Sequence, residues 1–230
     1  MRLLSPIAPI ILFVGACVWG GHQEQRTEDS LDEKVDAFQL QDDTILDALG
    51  KFNSKTHYSV SVELILKNKL SDQNIENPRS NSLIETGTAK HVLDEICALD
   101  DRYTWAHYRN TINVYPRASL AAGDAYLMNR HLSDVSLKDI PSPDEAIFQT
   151  VARLSGPLEQ IGFMQTGGPP GFPKPETFVW TGVTVRQAFD EVADRMGKGY
   201  GWTLGGAQEF RVLRFHAKLL PEERHPRSTH

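Results

Sequence analysis

The sequence predicts an α+β fold made of two tandem small domains, each with two helices packed on short mixed β-sheets. Three observations predict it. A helical pattern at residues 86–96 returns almost unchanged at residues 181–192. A strand pattern precedes each of these helices, and a pair of strand patterns follows it. Thr184 lies 96 positions after Thr88, a period too long for the repeats of a solenoid, so we predict a duplicated domain.

Length and composition set the class of protein. The chain has 230 residues, of which 40% are hydrophobic and 23% are charged. These values are ordinary for globular proteins, and the length suffices for one large domain or for two of about 100 residues each. The formal net charge is −6, whereas a general nucleic-acid binder needs a basic face that neutralises phosphates. We therefore expect no nucleic-acid partner.

The first residues have the pattern of an export signal. Arg2 precedes an apolar run at residues 7–14, which is too short to span a bilayer but suits the hydrophobic part of a signal peptide. The quartet "VGAC" that ends at Cys17 resembles a bacterial lipobox. We predict a signal peptide over residues 1–16 and a periplasmic protein anchored to the outer membrane through lipidated Cys17. A soluble periplasmic protein released by the same cut is the alternative.

A polar segment without periodicity follows the export signal. Residues 17–34 contain too few apolar side chains to offset the entropy of ordering, so they are predicted to form a flexible tether. The only other cysteine, Cys97, occupies an apolar helical position. We expect it to act as a small buried hydrophobe, with no intramolecular disulfide unless Cys17 stays unlipidated and lies close.

The first domain is predicted over residues 35–117. It begins with the strand "VDAFQLQ" and a helix in which Ile45, Leu49 and Phe52 share a face, and the strands "HYSVSVEL" and "SLIET" follow. Thr88 is the expected N-cap of the next helix. The two strands that end the domain are expected to form a hairpin with "RN" as its turn. The apolar stripe of the second helix consists of Ala89, Val92, Leu93, Ile96 and Cys97.

A linker over residues 118–134 is predicted to lead to a second, divergent copy over residues 135–216, and residues 217–230 to form a polar tail. The strand "VSLKDI" precedes a helix that Ser142 caps, and the strand "ETFVWTG" precedes a helix that Thr184 caps. A hairpin with the turn "GGAQ" closes the copy. The stripe of the last helix matches the first copy position by position, with Val185, Ala188, Phe189, Val192 and Ala193.

The order of elements resembles the short N-terminal (STN) domain shared by secretins and TonB-dependent receptors, in which two helices lie between small sheets. The matching stretches are residues 38–40 with "ILDALGKF", the strand "YSVSVEL", the helix "TGTAKHVLDEI" and the hairpin "YTWAHYRNTINVYP". The resemblance covers residues 35–117, with a weaker echo over residues 135–215. The connection "ILKNKLSDQNIENPRSN" is longer than usual, and no plug, barrel or secretin pore follows, which leaves the adaptor portion.

The resemblance implies binding of protein partners in the cell envelope. In secretins the domain meets inner-membrane components, and in receptors it signals to regulators. We therefore predict a non-catalytic adaptor that binds an envelope protein of a secretion, transport or signalling assembly, without a cofactor. An exposed sheet edge is a physical route to such binding. Two alternatives stay open, namely an enzyme with no recognisable motif and a binder of an envelope ligand such as peptidoglycan, for which Trp105 and Trp202 are candidate stacking residues.

Side chains of catalytic or metal-binding type form no strong pattern. The sequence contains neither HExxH nor paired CxxC, so no catalytic or metal site is predicted. His91 and Glu95 lie one helical turn apart, and a solvated helix face is the simpler interpretation. The Asp-Glu pairs at residues 94–95 and 190–191 occupy equivalent positions, which predicts a shared structural role such as surface charge. "QTGGPPGFPKP" at residues 165–175 is interpreted as a mobile connection between strands rather than a binding loop.

Overall fold

The computed structural model of the chain describes residues 31–65, 78–154, 161–163, 171–207, 210–217 and 219. Within these residues the fold is α+β, as predicted. The predicted signal peptide and Cys17 lie outside them, as do most of the predicted tether and the first six residues of "QTGGPPGFPKP". None of the described helices is long and apolar enough to cross a membrane.

Helices and strands alternate in the same order in the two halves of the described chain. We call residues 31–116 the first half and residues 131–216 the second half. The helices are α1 (Ile45–Lys55), α2 (Ala89–Ala98), α3 (Ala118–Ala122), α4 (Pro143–Ala152) and α5 (Val185–Met196). The strands of the first half are β1 (Lys34–Val35), β2 (Phe38–Gln39), β3 (Ser59–Glu63), β4 (Leu83–Ile84), β5 (Gly87–Thr88), β6 (Tyr103–Tyr108) and β7 (Thr111–Pro116). Those of the second half are β8 (His131–Leu132), β9 (Val135–Ile140), β10 (Ile161–Phe163), β11 (Glu176–Trp180), β12 (Val183–Thr184), β13 (Gly201–Ala207) and β14 (Phe210–His216).

The strand pairings of the first half recur in the second half. Antiparallel pairs join β1 to β5 and β2 to β4, and the equivalent pairs join β8 to β12 and β9 to β11. β3 runs parallel to β7, as β10 does to β14. The hairpins β6–β7 and β13–β14 complete the two sets. The halves therefore share one topology.

The helices begin where the sequence predicts them. The hydroxyl groups of Thr88, Ser142 and Thr184 each accept a hydrogen bond from the backbone N–H three residues on, which satisfies a donor that the helix itself leaves unpaired. Thr44 caps α1 in the same way, within a capping box. Every residue of the two predicted apolar stripes is buried. The caps and stripes of α2 and α5 are thus confirmed.

A single six-stranded sheet runs through both halves, in the order β10-β14-β13-β3-β7-β6. It is continuous because β13 lies parallel to β3, with Thr203 opposite Val62 and Leu204 opposite Glu63. The Leu64 N–H donates to the Leu204 carbonyl at 2.7 Å. The described residues belong to one compact unit, so the two halves are joined by backbone hydrogen bonds as well as by the chain between them.

The two hydrophobic cores lie on opposite faces of this sheet. Val60 and Val62 of β3 are buried in the core of the first half, against α1 and α2. Trp202 and Leu204 of β13 are buried in the core of the second half, against α5. Because side chains alternate along a strand, the polar residues of β3 face away from the first core. That polar face is the one on which α5 lies.

The segment between the halves is folded in the described structure. After α3, two 3-10 turns span Gly123–Ala125 and Leu127–Asn129, and Leu127 and Met128 are buried. Leu219 reaches back to the first core, where it is 7% exposed and its N–H donates to Asn53 Oδ1 at 3.0 Å. Leu219 of the predicted polar tail is therefore part of the first core.

The two predicted hairpin turns differ in outcome. β6 ends at Tyr108 and β7 begins at Thr111, so the turn at "RN" is confirmed, with Arg109 in the left-handed region at φ 54°. "GGAQ" was predicted as the second turn, but Gly205 and the two residues after it belong to β13. The strand extends further because Gly205, Gly206 and Ala207 still pair with β14, opposite Val212, Arg211 and Phe210.

Candidate functional site

The most distinctive chemistry of the described residues lies at the contact between the halves. α5 presents Arg186, Asp190 and Glu191 to the first half, although its apolar stripe packs into the core of the second half. The first half meets these side chains with the polar face of β3 and β7, on which Ser61, Glu63, Thr111, Asn113 and Tyr115 are all buried. Buried polar groups cost free energy unless they are paired, and α5 pairs Asp190 with Ser61 and Asn113 and pairs Arg186 with Glu63.

Asp190 occupies the centre of this contact and is 2% exposed. Its carboxylate accepts hydrogen bonds from Asn113 Nδ2 at 2.7 Å and from Trp202 Nε1 at 2.8 Å, and Ser61 donates a further one. Burial raises the pKa of Asp190 to about 7 from an ordinary 3.8, while the three hydrogen bonds and Arg186 act in the opposite direction. The contact between the halves therefore contains a carboxyl group that titrates near neutral pH.

The same tryptophan–aspartate pair occurs in the first half. Trp105 Nε1 donates to Asp94 Oδ1 at 2.9 Å, and these residues correspond to Trp202 and Asp190. The two pairs differ in what covers them, since β3 covers Asp190 whereas Asp94 is exposed. The prediction of surface charge is thus right for Asp94 and wrong for Asp190, because sequence position does not reveal which half is covered by the other.

Beside Asp190, Glu63 and Arg186 form a buried ion pair. Burial lowers the pKa of Arg186, but Glu63, Tyr115 and Tyr126 together raise it above its ordinary value, so the guanidinium group stays charged. It also donates to Asn129 Oδ1 at 3.0 Å and lies 4.2 Å from the centre of the Tyr115 ring. Burial raises the pKa of Tyr126, which keeps this hydroxyl protonated beside Glu63. The pair links β3, β7, α5 and the segment between the halves.

Glu191 makes the outermost polar contacts between the halves. Its carboxylate accepts from the Tyr108 hydroxyl and from Trp180 Nε1, both at 3.0 Å, and pairs with Arg109 Nη2 at 3.1 Å. The turn of the first hairpin and α5 border a shallow depression of about 200 Å³ here. Tyr108 and Arg109, which line it, already pair with Glu191 across the contact, so the geometry is that of an interface.

The other residues singled out in the sequence lie apart from this contact. Cys97 is buried, as predicted, and burial raises its pKa to about 12, which disfavours the reactive thiolate. His91 and Glu95 form an exposed pair with Nε2 and Oε1 3.3 Å apart. The described residues contain no group of three potential metal ligands. Within "QTGGPPGFPKP", Phe172 packs against Phe178 in the second core.

The two candidate stacking tryptophans have different exposure. Trp202 is fully buried, so its ring face is covered by protein and a sugar cannot stack on it without a rearrangement of the contact. Trp105 lies on the terminal strand β6 and is only partly buried. Of the two, only Trp105 is available to a ligand at the surface.

No family model, curated protein or solved structure matches the chain. Sequence patterns do not identify the contact between the halves, since Ser61, Glu63 and Asn113 are ordinary residues for the solvated face of a strand. The sequence signal is the repeated Asp-Glu pair, of which Asp190 is buried.

Replacing Asp190 with asparagine is expected to flatten the pH dependence of stability. The folded-state pKa lies above the unfolded one, so the native state holds the proton more strongly between pH 4 and 7, and stability is lost as pH rises through this window. For the unmodified chain the free energy of unfolding should fall by about 2 kcal/mol between pH 5 and pH 7 from this group. Urea unfolding at a series of pH values measures it.

Asparagine suits the site because Asn113 Oδ1 is buried without a partner among the described residues, and a rotated Asn113 amide would accept from the new NH₂ group. Asp94→Asn is the matched control, since it alters the equivalent but exposed pair and should leave the pH dependence intact. A pH profile of Asp190→Asn that overlays that of the unmodified chain would show that Asp190 does not titrate in this window.

Proposed function

We propose that the chain is a non-catalytic interaction module of the cell envelope, built from two copies of one small α+β domain and binding a protein partner. The observation that carries the proposal is the contact between the halves. There a sheet edge of one copy accepts a strand of the other, and a helix adds polar and charged contacts. Strand addition of this kind is a common mode of protein recognition.

The idea of duplication is supported by order and pairing. Each half has the sequence strand, strand, helix, three strands, helix, hairpin, and each pairing of one half has its counterpart in the other. The hydrogen bond from tryptophan to aspartate also recurs at equivalent positions. A domain that pairs with its own copy through exposed edges has the surfaces needed to bind other proteins.

The place and the type of partner rest on the sequence. We propose export to the periplasm, with Cys17 as a lipid-attachment residue that holds the module at the outer membrane. The resemblance to the STN domain favours a partner from a secretion, transport or signalling assembly. Binding of an envelope ligand such as peptidoglycan is the weaker candidate, since Trp202 is fully buried and only Trp105 is left for stacking.

The test uses the full chain, because the shared sheet makes each half part of the other's environment. In-cell crosslinking in the native organism, followed by affinity purification, should recover one envelope protein in stoichiometric amount. The variant Cys17→Ser should recover less of it, since an unanchored module is no longer held near its partner. If neither sample yields a protein, the adaptor function is refuted, and titration with soluble murein fragments then tests the ligand hypothesis.

A further inference from the structure

The surface with which the second half binds the first half has a counterpart in the first half. In the second half this surface consists of the β13 edge and of α5, which contributes Arg186 and Asp190. The equivalent elements of the first half are β6 and α2. Lys90 and Asp94 occupy the positions of Arg186 and Asp190, so α2 presents a cation and a carboxylate in the same arrangement.

This counterpart has no strand on it. β6 is the terminal strand of the six-stranded sheet, and no described strand pairs with its outer edge. Lys90 and Asp94 are exposed, and Trp105 is partly buried. Lys90 makes no ion pair within the described part of the chain. Strand addition commonly uses the unpaired backbone N–H and C=O groups of such an edge. Here the charged side chains of Lys90 and Asp94 lie beside that edge.

The geometry points to β6 and α2 as the docking surface for an extended strand of a partner protein. The strand lies parallel to β6. It presents a small polar residue to α2 and, two positions later, an acidic residue. This inference rests on the proposed function and specifies its partner. The chemistry of the strand follows from β3, because β3 is the strand that the equivalent surface of the second half binds. On β3, Ser61 lies against Asp190 and Trp202, and Glu63 lies against Arg186.

The partner is another protein rather than a second copy of this chain. The strand of the second half that corresponds to β3 is β10, and the sequence "IGFMQTGG" that contains and follows it has no acidic residue. A second copy would therefore bring no carboxylate to Lys90. An acidic strand gains an ion pair with Lys90, and charge complementarity also steers encounter.

A peptide copying residues 57–65 is a direct probe of this surface. Val60 and Val62 are replaced with threonine in the peptide, because in the chain they face the first core and would be exposed on β6. We expect the peptide to bind the full ¹⁵N-labelled chain carrying Cys17→Ser with a dissociation constant below about 1 mM. Amide shift changes in the NMR spectrum should be confined to β6 and α2.

Charge reversal distinguishes a specific site from weak adhesion. Lys90→Glu should weaken peptide binding by about fivefold, and a peptide carrying Glu63→Lys should restore it. Lys198→Glu is the matched control, since Lys198 is exposed in the second half, and it should change binding by less than about twofold. Equal losses with Lys90→Glu and Lys198→Glu would overturn the inference, as would shift changes elsewhere or no binding.

The two proposals fail in different ways. A partner crosslinked in cells but unaffected by Lys90→Glu would leave the adaptor function standing and overturn the docking surface. Peptide binding at β6 with no partner recovered from cells would leave the docking surface standing and overturn the adaptor function. Concentration-dependent self-association of the full chain that Lys90→Glu abolishes would overturn the choice of a foreign partner.

Discussion

Replacing Gly201 with alanine should separate the two halves of the sheet and destabilise the chain by more than about 4 kcal/mol. Gly201 begins β13 where this strand meets β3. A Cβ atom at this position would lie 2.1 Å from the Val60 carbonyl oxygen and 2.9 Å from its carbon. Both are backbone atoms held by the pairing of β3 with β7, so the clash cannot be relieved by a side-chain rotation. Urea unfolding followed by far-UV circular dichroism measures the loss.

Gly205→Ala is the matched control on the same strand. Its Cβ would meet the Leu64 Cδ1 atom at 3.0 Å, which is the far end of a flexible side chain rather than backbone. We expect this variant to lose about 1 kcal/mol. If Gly201→Ala were as stable as Gly205→Ala, the close approach of β13 to β3 would be refuted, and with it the continuous sheet.

The second large effect is expected at the buried ion pair. Glu63→Met should destabilise the chain by about 3–5 kcal/mol, because it leaves the Arg186 guanidinium group buried without its carboxylate. Arg186→Met should cost a similar amount for the converse reason. The double variant should recover most of either loss, since two apolar side chains of similar size replace the pair without an uncompensated charge. A double-mutant cycle by chemical unfolding measures the coupling.

An exposed ion pair of the same chain serves as the reference. Arg195 and Glu176 lie 3.2 Å apart, with the arginine side chain 51% exposed. Arg195→Met should cost only about 0.5 kcal/mol, since solvent screens such pairs. A loss of that size at Glu63 or Arg186, or a double variant that is as unstable as the worse single variant, would contradict the burial of the pair.

Local structure was largely predictable because it depends on neighbouring residues. Thr88 and Thr184 cap their helices through a hydroxyl that reaches a backbone N–H three residues on, and the apolar spacing fixes which face is buried. The first hairpin turn is equally local, since Arg109 adopts the left-handed conformation between two strands of equal length. These features need no knowledge of the rest of the chain.

The contact between the halves was not predictable in the same way. Alternation of serine and valine in β3 is typical of a strand with one face in water, yet both faces are buried because α5 lies on the polar one. Asp94 and Asp190 each lie between an apolar residue and a glutamate, and each accepts a hydrogen bond from a tryptophan, but only Asp190 is buried. The difference arises because the second half packs on β3 of the first half, and no local pattern contains that information.

The pairing of β3 with β13 also bears on how the chain folds. Val62 and Thr203 are separated by about 140 positions, so closing this loop costs more entropy than any pairing within a half. During synthesis the first half emerges seconds before its partner strand exists, since ribosomes add about 5–20 residues per second. Until β13 is made, β3 is an unpaired edge strand. Its serines and its glutamate on one face make it a poor template for aggregation. The polar side chains of β3 that bind α5 in the folded chain thus also protect the nascent chain from aggregation.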